Sequence, residues 1–175
     1  MICKLHVYTG EGKGKTTAAM GLALRSLGHG NAVLIAQFMK KGNSGELAAL
    51  RQFHQATVMA APPIPGFTFR MSGAEKETAR AQQTAFARET ARMIAEKQPK
   101  TVILDELGMA LSCGLVEESA ARELLDAALS CAETAVTGRA VPNWLSDRAD
   151  YLSRIDAVKH PYASEQLPAR KGVEW

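Results

Sequence analysis

At 175 residues the chain is close to the roughly 150 of one domain, and 46% hydrophobic with 22% charged residues describes a globular protein, not a disordered, collagen-like or coiled-coil one. The net charge of +3 comes from basic residues spread along the chain, which argues against a nucleic-acid partner, and no apolar stretch approaches the roughly 18 residues of a membrane span. The three cysteines show no Cys-x-x-Cys spacing, so they are read as buried, inert thiols and not as a disulfide framework or zinc site.

Met1 to Thr9 runs directly into a strand-like segment without the features of a secretory signal, so a cytoplasmic location is expected. Leu5 to Tyr8 is β-prone and ends in a glycine-rich turn, after which Thr16 to Leu27 reads as a helix closed by Gly28. Ala32 to Ala36 is apolar without alternation, as in a strand covered on both faces, and Gly45 to Phe53 reads as a short helix. Thr57 to Ala60 is a further strand; Pro62, Pro63, Pro65 and Gly66 then impose an extended loop that carries Phe67 and Phe69.

Ala74 to Gln98 predicts a long helix stopped by Pro99, followed by the buried strand Thr101 to Leu104 with Asp105 and Glu106 at its carboxyl end. Val116 to Cys131 reads as helix, Thr134 to Thr137 as strand and Val141 to Ala149 as helix, with Pro142 near its first turn and an edge strand over Tyr151 to Val158. His6 and His29 are read as structural and His54 as a solvated helix end. Strands alternating with helices predict a three-layer α/β fold with a mainly parallel sheet, and residues 1–175 as one domain.

The chemistry is carried by Gly10-Glu11-Gly12-Lys13-Gly14-Lys15-Thr16-Thr17. A phosphate cradle needs glycines that let successive N–H groups point inward, a helix amino terminus behind them, a lysine, and a hydroxyl for the metal. This segment supplies each of them between a strand and a helix. It is a variant of the usual phosphate loop, because Thr9 stands where the first glycine is expected and glycines fall at 10, 12 and 14. Asp105 and Glu106, at the end of an apolar strand, are the matching acidic pair for Mg²⁺, held directly or through water. These residues predict a P-loop NTPase fold of RecA-like kind with a Mg²⁺-nucleotide site, Mn²⁺ being an alternative ion, and they suit an NTPase, a kinase or a transferase equally.

The run Val7 to Ala19, with Ala23-Leu24-Arg25 and Gly28-His29-Gly30, resembles the P-loop type of ATP:corrinoid adenosyltransferase. Gln37-Phe38, Gly45-Glu46, Gly66-Phe67-Thr68, Val102 to Leu107, Thr137-Gly138-Arg139, Ala149-Asp150, Val158-Lys159-His160 and Gly172 to Trp175 continue the resemblance in the family's order. The resemblance implies transfer of the 5′-deoxyadenosyl group of ATP to the Co(I) of a reduced corrinoid, cobalamin or a cobinamide-type precursor, with release of triphosphate. It implies Gly10, Glu11, Gly12, Lys13, Gly14, Lys15, Thr16, Thr17 and Arg25 at the nucleotide, Thr16, Asp105 and Glu106 at the metal, and Lys15 and Glu106 in catalysis. Phe67 and Phe69 would displace the corrinoid's lower axial ligand, and a flavoprotein reductase and a homodimer would accompany the activity. The chain departs from the family in having Phe69 where tryptophan is usual and a shorter segment over Lys40 to Ser44 that lacks a common tryptophan; it also begins without the amino-terminal extension of many members. The competing readings are a small P-loop kinase or NTPase, and a nucleotide-dependent corrinoid-binding module without turnover.

Overall fold

The computed structural model describes residues 2–64, 66 and 68–173. Strands β1 (Leu5–Thr9), β2 (Val33–Gln37), β3 (Ala56–Ala60), β4 (Thr101–Asp105), β5 (Glu133–Thr137) and β6 (Tyr151–Arg154) form one sheet in the order β3-β2-β4-β5-β1-β6, with every pairing parallel. Parallel neighbours need long crossovers. These carry α1 (Lys15–Gly28), α2 (Gly45–Leu50), α3 (Gly73–Lys97), α4 (Leu107–Ser112), α5 (Glu118–Leu129) and α6 (Asn143–Arg148), and α7 (Pro161–Glu165) follows the last strand.

The apolar runs explain the layers. Successive strand residues point to opposite faces, so Val33 and Ile35 of β2, Ile103 of β4 and Ala135 of β5 pack with Ala19, Met20, Ala23 and Leu27 of α1. Their alternates Leu34, Ala36, Val102, Leu104 and Val136 pack on the other face with Phe86, Ala87 and Ile94 of α3 and Leu124, Leu125 and Ala128 of α5. Strands β2 and β4 are therefore buried along their whole length, as the unbroken apolar runs required, whereas β6 is exposed throughout at the sheet's edge. This is a three-layer α/β arrangement of the P-loop NTPase kind, with a sheet that is wholly and not just mainly parallel.

Helix α3 owes its start to local chemistry. Ser72 accepts from the Glu75 N–H while Glu75 reaches back to the Ser72 N–H, a reciprocal cap. Its end is a left-handed Gln98 just before Pro99.

Several boundaries differ from expectation. The six-residue α4 stands directly after β4, where only an acidic turn was anticipated, and α5 is confined to Glu118–Leu129. Pro142, near the first turn as expected, is the N-cap of α6, so the helix begins at Asn143 and not at Val141. The edge strand stops at Arg154, and the next residue stays beside the glycine loop, the Ile155 N–H donating to the Thr9 carbonyl at 2.8 Å and its carbonyl accepting from the Gly12 N–H at 2.7 Å. The short helix α7 was not foreseen, because five residues give no periodicity to read. His6 is structural, its ring stacked on Tyr151 with centroids 4.5 Å apart and its Nε2 2.7 Å from Glu133 Oε1. Among the described residues no disulfide joins Cys3, Cys113 or Cys131; all three are half-buried, so the expectation of full burial is corrected. Among the described residues no helix is long and apolar enough to cross a membrane.

Candidate functional site

Ligands of open parallel sheets sit beyond the carboxyl ends of the strands, and four strand ends meet here. Strand β1 runs into the glycine loop, and the registers Gln37↔Asp105 and Leu104↔Val136 bring the ends of β2, β4 and β5 level beside it. A cleft of about 790 Å³ opens above them, lined by Glu11 to Thr17, Lys40, Glu106 and Arg139 together with residues of α1 and α2. That volume is in the range of small-molecule and cofactor sites.

The loop is shaped by what packs behind it. Gly10 adopts φ 101° and donates to the Arg139 carbonyl at 3.1 Å; a Cβ there would come within 2.5 Å of the Ile155 carbonyl oxygen. Gly14 is the N-cap of α1 at φ 118° and makes no side-chain cap bond, so the first N–H groups of α1 are left for a ligand. Lys15 curls over the loop and donates to the carbonyls of Gly10 and Gly12, each at 2.6 Å. It is only 9% exposed. Burial, with Arg139 and Lys40 nearby, holds its ammonium below the usual lysine range against the opposing pull of Glu106 and Glu11.

Asp105 is the hub of the site. Its side chain is 0% exposed and its four lone-pair positions are filled: Oδ1 accepts from Thr16 Oγ1 at 2.8 Å and Thr137 Oγ1 at 2.7 Å, and Oδ2 from Gln37 Nε2 at 2.9 Å and Lys40 Nζ at 2.8 Å. Burial alone would raise its pKa. The Lys40 charge and the hydrogen bonds from Lys40, Gln37 and Thr137 outweigh that and hold the carboxyl below its usual range. Lys40 is the mirror case, since burial would lower its pKa and the Asp105 and Glu106 carboxylates raise it instead.

Glu106 sits in the left-handed region at φ 62°, a conformation rare outside glycine, and its N–H donates to Thr137 Oγ1 at 2.9 Å. It occupies the N-cap of α4 yet makes no side-chain cap bond; the carboxylate faces Lys40 at 3.3 Å and lines the cleft. Thr16, Asp105 and Glu106 thus present hard oxygens to one cationic centre, the donor type that suits Mg²⁺. Among the described residues no group of three or more His, Cys, Asp or Glu converges.

The remaining expected residues lie elsewhere. Arg25 is outside the cleft, exposed in the last turn of α1, ten residues and so about 15 Å along the axis from Lys15. Phe69 lies on a one-turn 3₁₀ helix, Thr68–Arg70, and is 77% exposed with the Arg70 guanidinium 5.5 Å from its ring centroid. The Thr68 hydroxyl lies 3.7 Å from Cys113 Sγ, just past the end of α4, so this aromatic turn rests on the helix whose other end is Glu106. Phe67 lies outside the described residues.

Sequence reasoning missed Lys40, Gln37, Thr137, Gln83, Arg139 and His160 as site residues. Gln83 of α3 is fully buried; its Oε1 accepts from the Met39 N–H at 3.1 Å and its Nε2 donates to the Pro62 carbonyl at 2.8 Å. His160, Gly172 and Val173 bring the carboxyl-terminal segment to the rim of the cleft. The available signals were polar residues at the carboxyl ends of apolar runs, as Gln37 and Thr137 are, and the runs Gln37-Phe38, Thr137-Gly138-Arg139 and Val158-Lys159-His160 that carry the family resemblance.

The family model described as ATP:corrinoid adenosyltransferase BtuR/CobO/CobP matches residues 3–175. The chain is 33% identical to a corrinoid adenosyltransferase of Pseudomonas aeruginosa over 98% of its own length and 83% of the relative's. It is similar to corrinoid adenosyltransferase CobA of Salmonella typhimurium, 33% identical over 97% of this chain and 84% of the relative, and to the corrinoid adenosyltransferase of Escherichia coli K12, 32% identical with the same coverage.

Proposed function

We propose, from the premise that this chain belongs to the ATP:corrinoid adenosyltransferase family, that residues 1–175 act as one catalytic domain whose cleft holds the triphosphate of Mg²⁺-bound ATP. The reaction is ATP-dependent adenosylation of a corrinoid. Co(I) of the reduced corrinoid attacks C5′ of ATP, the Co–C bond forms, and the C5′–O bond breaks with its electron pair leaving on triphosphate. The observation that carries the site assignment is the convergence of the loop, Lys15, Thr16 and the Asp105–Glu106 pair on one cleft.

The free N–H groups at the start of α1 receive phosphate oxygens, and Lys15 exchanges the Gly10 and Gly12 carbonyls for them. Both then stabilise charge as it grows on the leaving group, which is where transition-state binding is productive. Thr16 and Glu106 would hold Mg²⁺, with Asp105 orienting the Thr16 hydroxyl through its 2.8 Å bond. When bound, the ion neutralises the triphosphate. Mn²⁺ meets the same ligand set.

The exposed turn with Phe69 faces the corrinoid, cobalamin or a cobinamide-type precursor, and Phe69 together with Phe67 removes its lower axial ligand so that Co(II) is reduced more easily. The family reading also carries a flavoprotein reductase as electron donor, a homodimer and a cytoplasmic setting. The deciding experiment combines the protein with ATP, Mg²⁺ and chemically reduced cobalamin and follows the corrinoid spectrum together with the nucleotide products. Adenosylated corrinoid plus stoichiometric triphosphate is expected; ADP as product would favour a kinase or NTPase instead, and tight binding without turnover a carrier module.

A further inference from the structure

Lys40 is aimed into the site by a built support. The Phe38 N–H donates to the Asp105 carbonyl at 2.9 Å, and the Phe38 ring, fully buried, meets Phe86 of α3 edge-on at 5.0 Å. The Lys40 N–H then folds back on the Phe38 carbonyl at 2.7 Å across Met39 at φ 62°, a γ-turn of the uncommon hand. Buried Gln83 clamps that turn through the Met39 N–H and the Pro62 carbonyl. The side chain of Lys40 therefore leaves the end of β2 toward β4, and its Nζ meets Asp105 Oδ2 at 2.8 Å, Thr16 Oγ1 at 3.2 Å and Glu106 Oε1 at 3.3 Å.

An ammonium has three donors and no acceptor, and here three oxygens receive them. Two of them, Thr16 and Glu106, are the side chains assigned to Mg²⁺ and the third, Asp105, orients Thr16, and a divalent ion and an ammonium repel strongly at contact distance. We propose that Lys40 is an exchangeable internal cation: it holds Thr16, Asp105 and Glu106 together in the nucleotide-free protein and yields to Mg²⁺ when triphosphate is present to accept its ammonium. Lys40 lines the same cleft as Lys13, Lys15 and Arg139, so the phosphates lie within reach of its four-carbon stem. Two properties follow: the free protein binds divalent metal poorly, and the ion enters with the nucleotide. Gln83 is in this scheme a positioning residue. The inference rests on the metal assignment made above for Thr16 and Glu106, with Asp105 in support.

The test is a titration of Mn²⁺, read by its electron paramagnetic resonance signal, into the nucleotide-free protein. Lys40→Met keeps the apolar stem and removes the charge; it should bind Mn²⁺ roughly ten- to a hundredfold more tightly than wild type, the weight of one charge-assisted interaction. Lys40→Arg, which keeps the charge, should stay as weak as wild type. Equal Mn²⁺ affinity of wild type and Lys40→Met overturns the proposal. Should Lys40→Met not fold, wild-type protein decides: the ¹⁵N-ammonium resonance of Lys40, assigned by its loss in Lys40→Arg, must shift when Mg²⁺ and ATP are added without corrinoid, and an unmoved resonance overturns the exchange. Glu106→Gln tests the underlying metal assignment by weakening Mn²⁺ binding in the presence of ATP. If it does not, the metal site and the exchange fall together; if it does while Lys40→Met changes nothing, the exchange alone fails.

Discussion

Asp105→Ala should be among the most destabilising single changes in this chain. It withdraws the acceptor from four donors at once, two of them on Gln37 and Thr137, which are 1% and 0% exposed and have no water to turn to. Each orphaned buried donor costs about 1–3 kcal/mol, while Lys40, 36% exposed, keeps Glu106 and solvent, so a loss of about 3–5 kcal/mol is expected. For a chain of this length that is a drop of roughly 6–20 °C in Tm. Asp105→Asn keeps the shape but loses the charge and turns one of the two acceptor oxygens into an NH2 donor facing other donors, for about 1–3 kcal/mol. The two variants also separate by pH. The folded-state pKa of Asp105 is depressed, so its contribution is fully present above the unfolded value of about 3.9 and is lost as pH falls through the lower folded value. Melts followed by circular dichroism should show a gap between wild type and Asp105→Asn that is widest near pH 7 and closes below about pH 4. Asp105→Ala melting within about 2 °C of wild type at pH 7, or a gap to Asp105→Asn that is the same at pH 3 and pH 7, would refute the view of Asp105 as the charged hub.

Lys15→Ala should lower ATP affinity by about a hundredfold, the loss of one or two charge-assisted bonds, as measured by calorimetry; near-normal affinity contradicts the cradle assignment. Glu106→Gln should raise the Mg²⁺ requirement for turnover by about tenfold while nucleotide affinity without metal changes little, and an unchanged metal dependence would leave Glu106 a conformational residue only. Phe69→Ala should leave Tm within about 2 °C of wild type, because a ring that is 77% exposed packs little. In Phe69→Ala, as in Phe67→Ala, turnover started from cob(II)alamin with a weak reductant should fall more than turnover from pre-reduced cob(I)alamin. Equal losses from both cobalt states would refute ligand displacement.

Local chemistry is what the sequence by itself determined. Glycines at 10, 12 and 14 before Lys15 and Thr16 can form a phosphate loop wherever a strand precedes and a helix follows, and an acidic pair after Thr101 to Leu104 has to emerge at a strand's carboxyl end. Unbroken apolar runs at Ala32 to Ala36 and Thr101 to Leu104 already required strands covered on both faces, hence helices on either side of a parallel sheet. The order β3-β2-β4-β5-β1-β6 was not legible, because similar apolar runs pair in many orders with similar burial. Only that order sets β2 beside β4 in the register Gln37↔Asp105 and so brings Lys40 to a carboxylate 65 positions along the chain. Lys40 and Lys41 are equivalent as letters; the turn at Met39 selects the first for the site and leaves the second exposed. Nothing in the letters sets Gln83 apart from the other polar residues of its helix, and packing of α3 over the end of β2 makes it the clamp of that turn. The physical reason is one of range. Backbone conformation and burial periodicity are encoded within a few residues, whereas the convergence of polar groups that neutralise one another exists only once distant strand ends have been brought together.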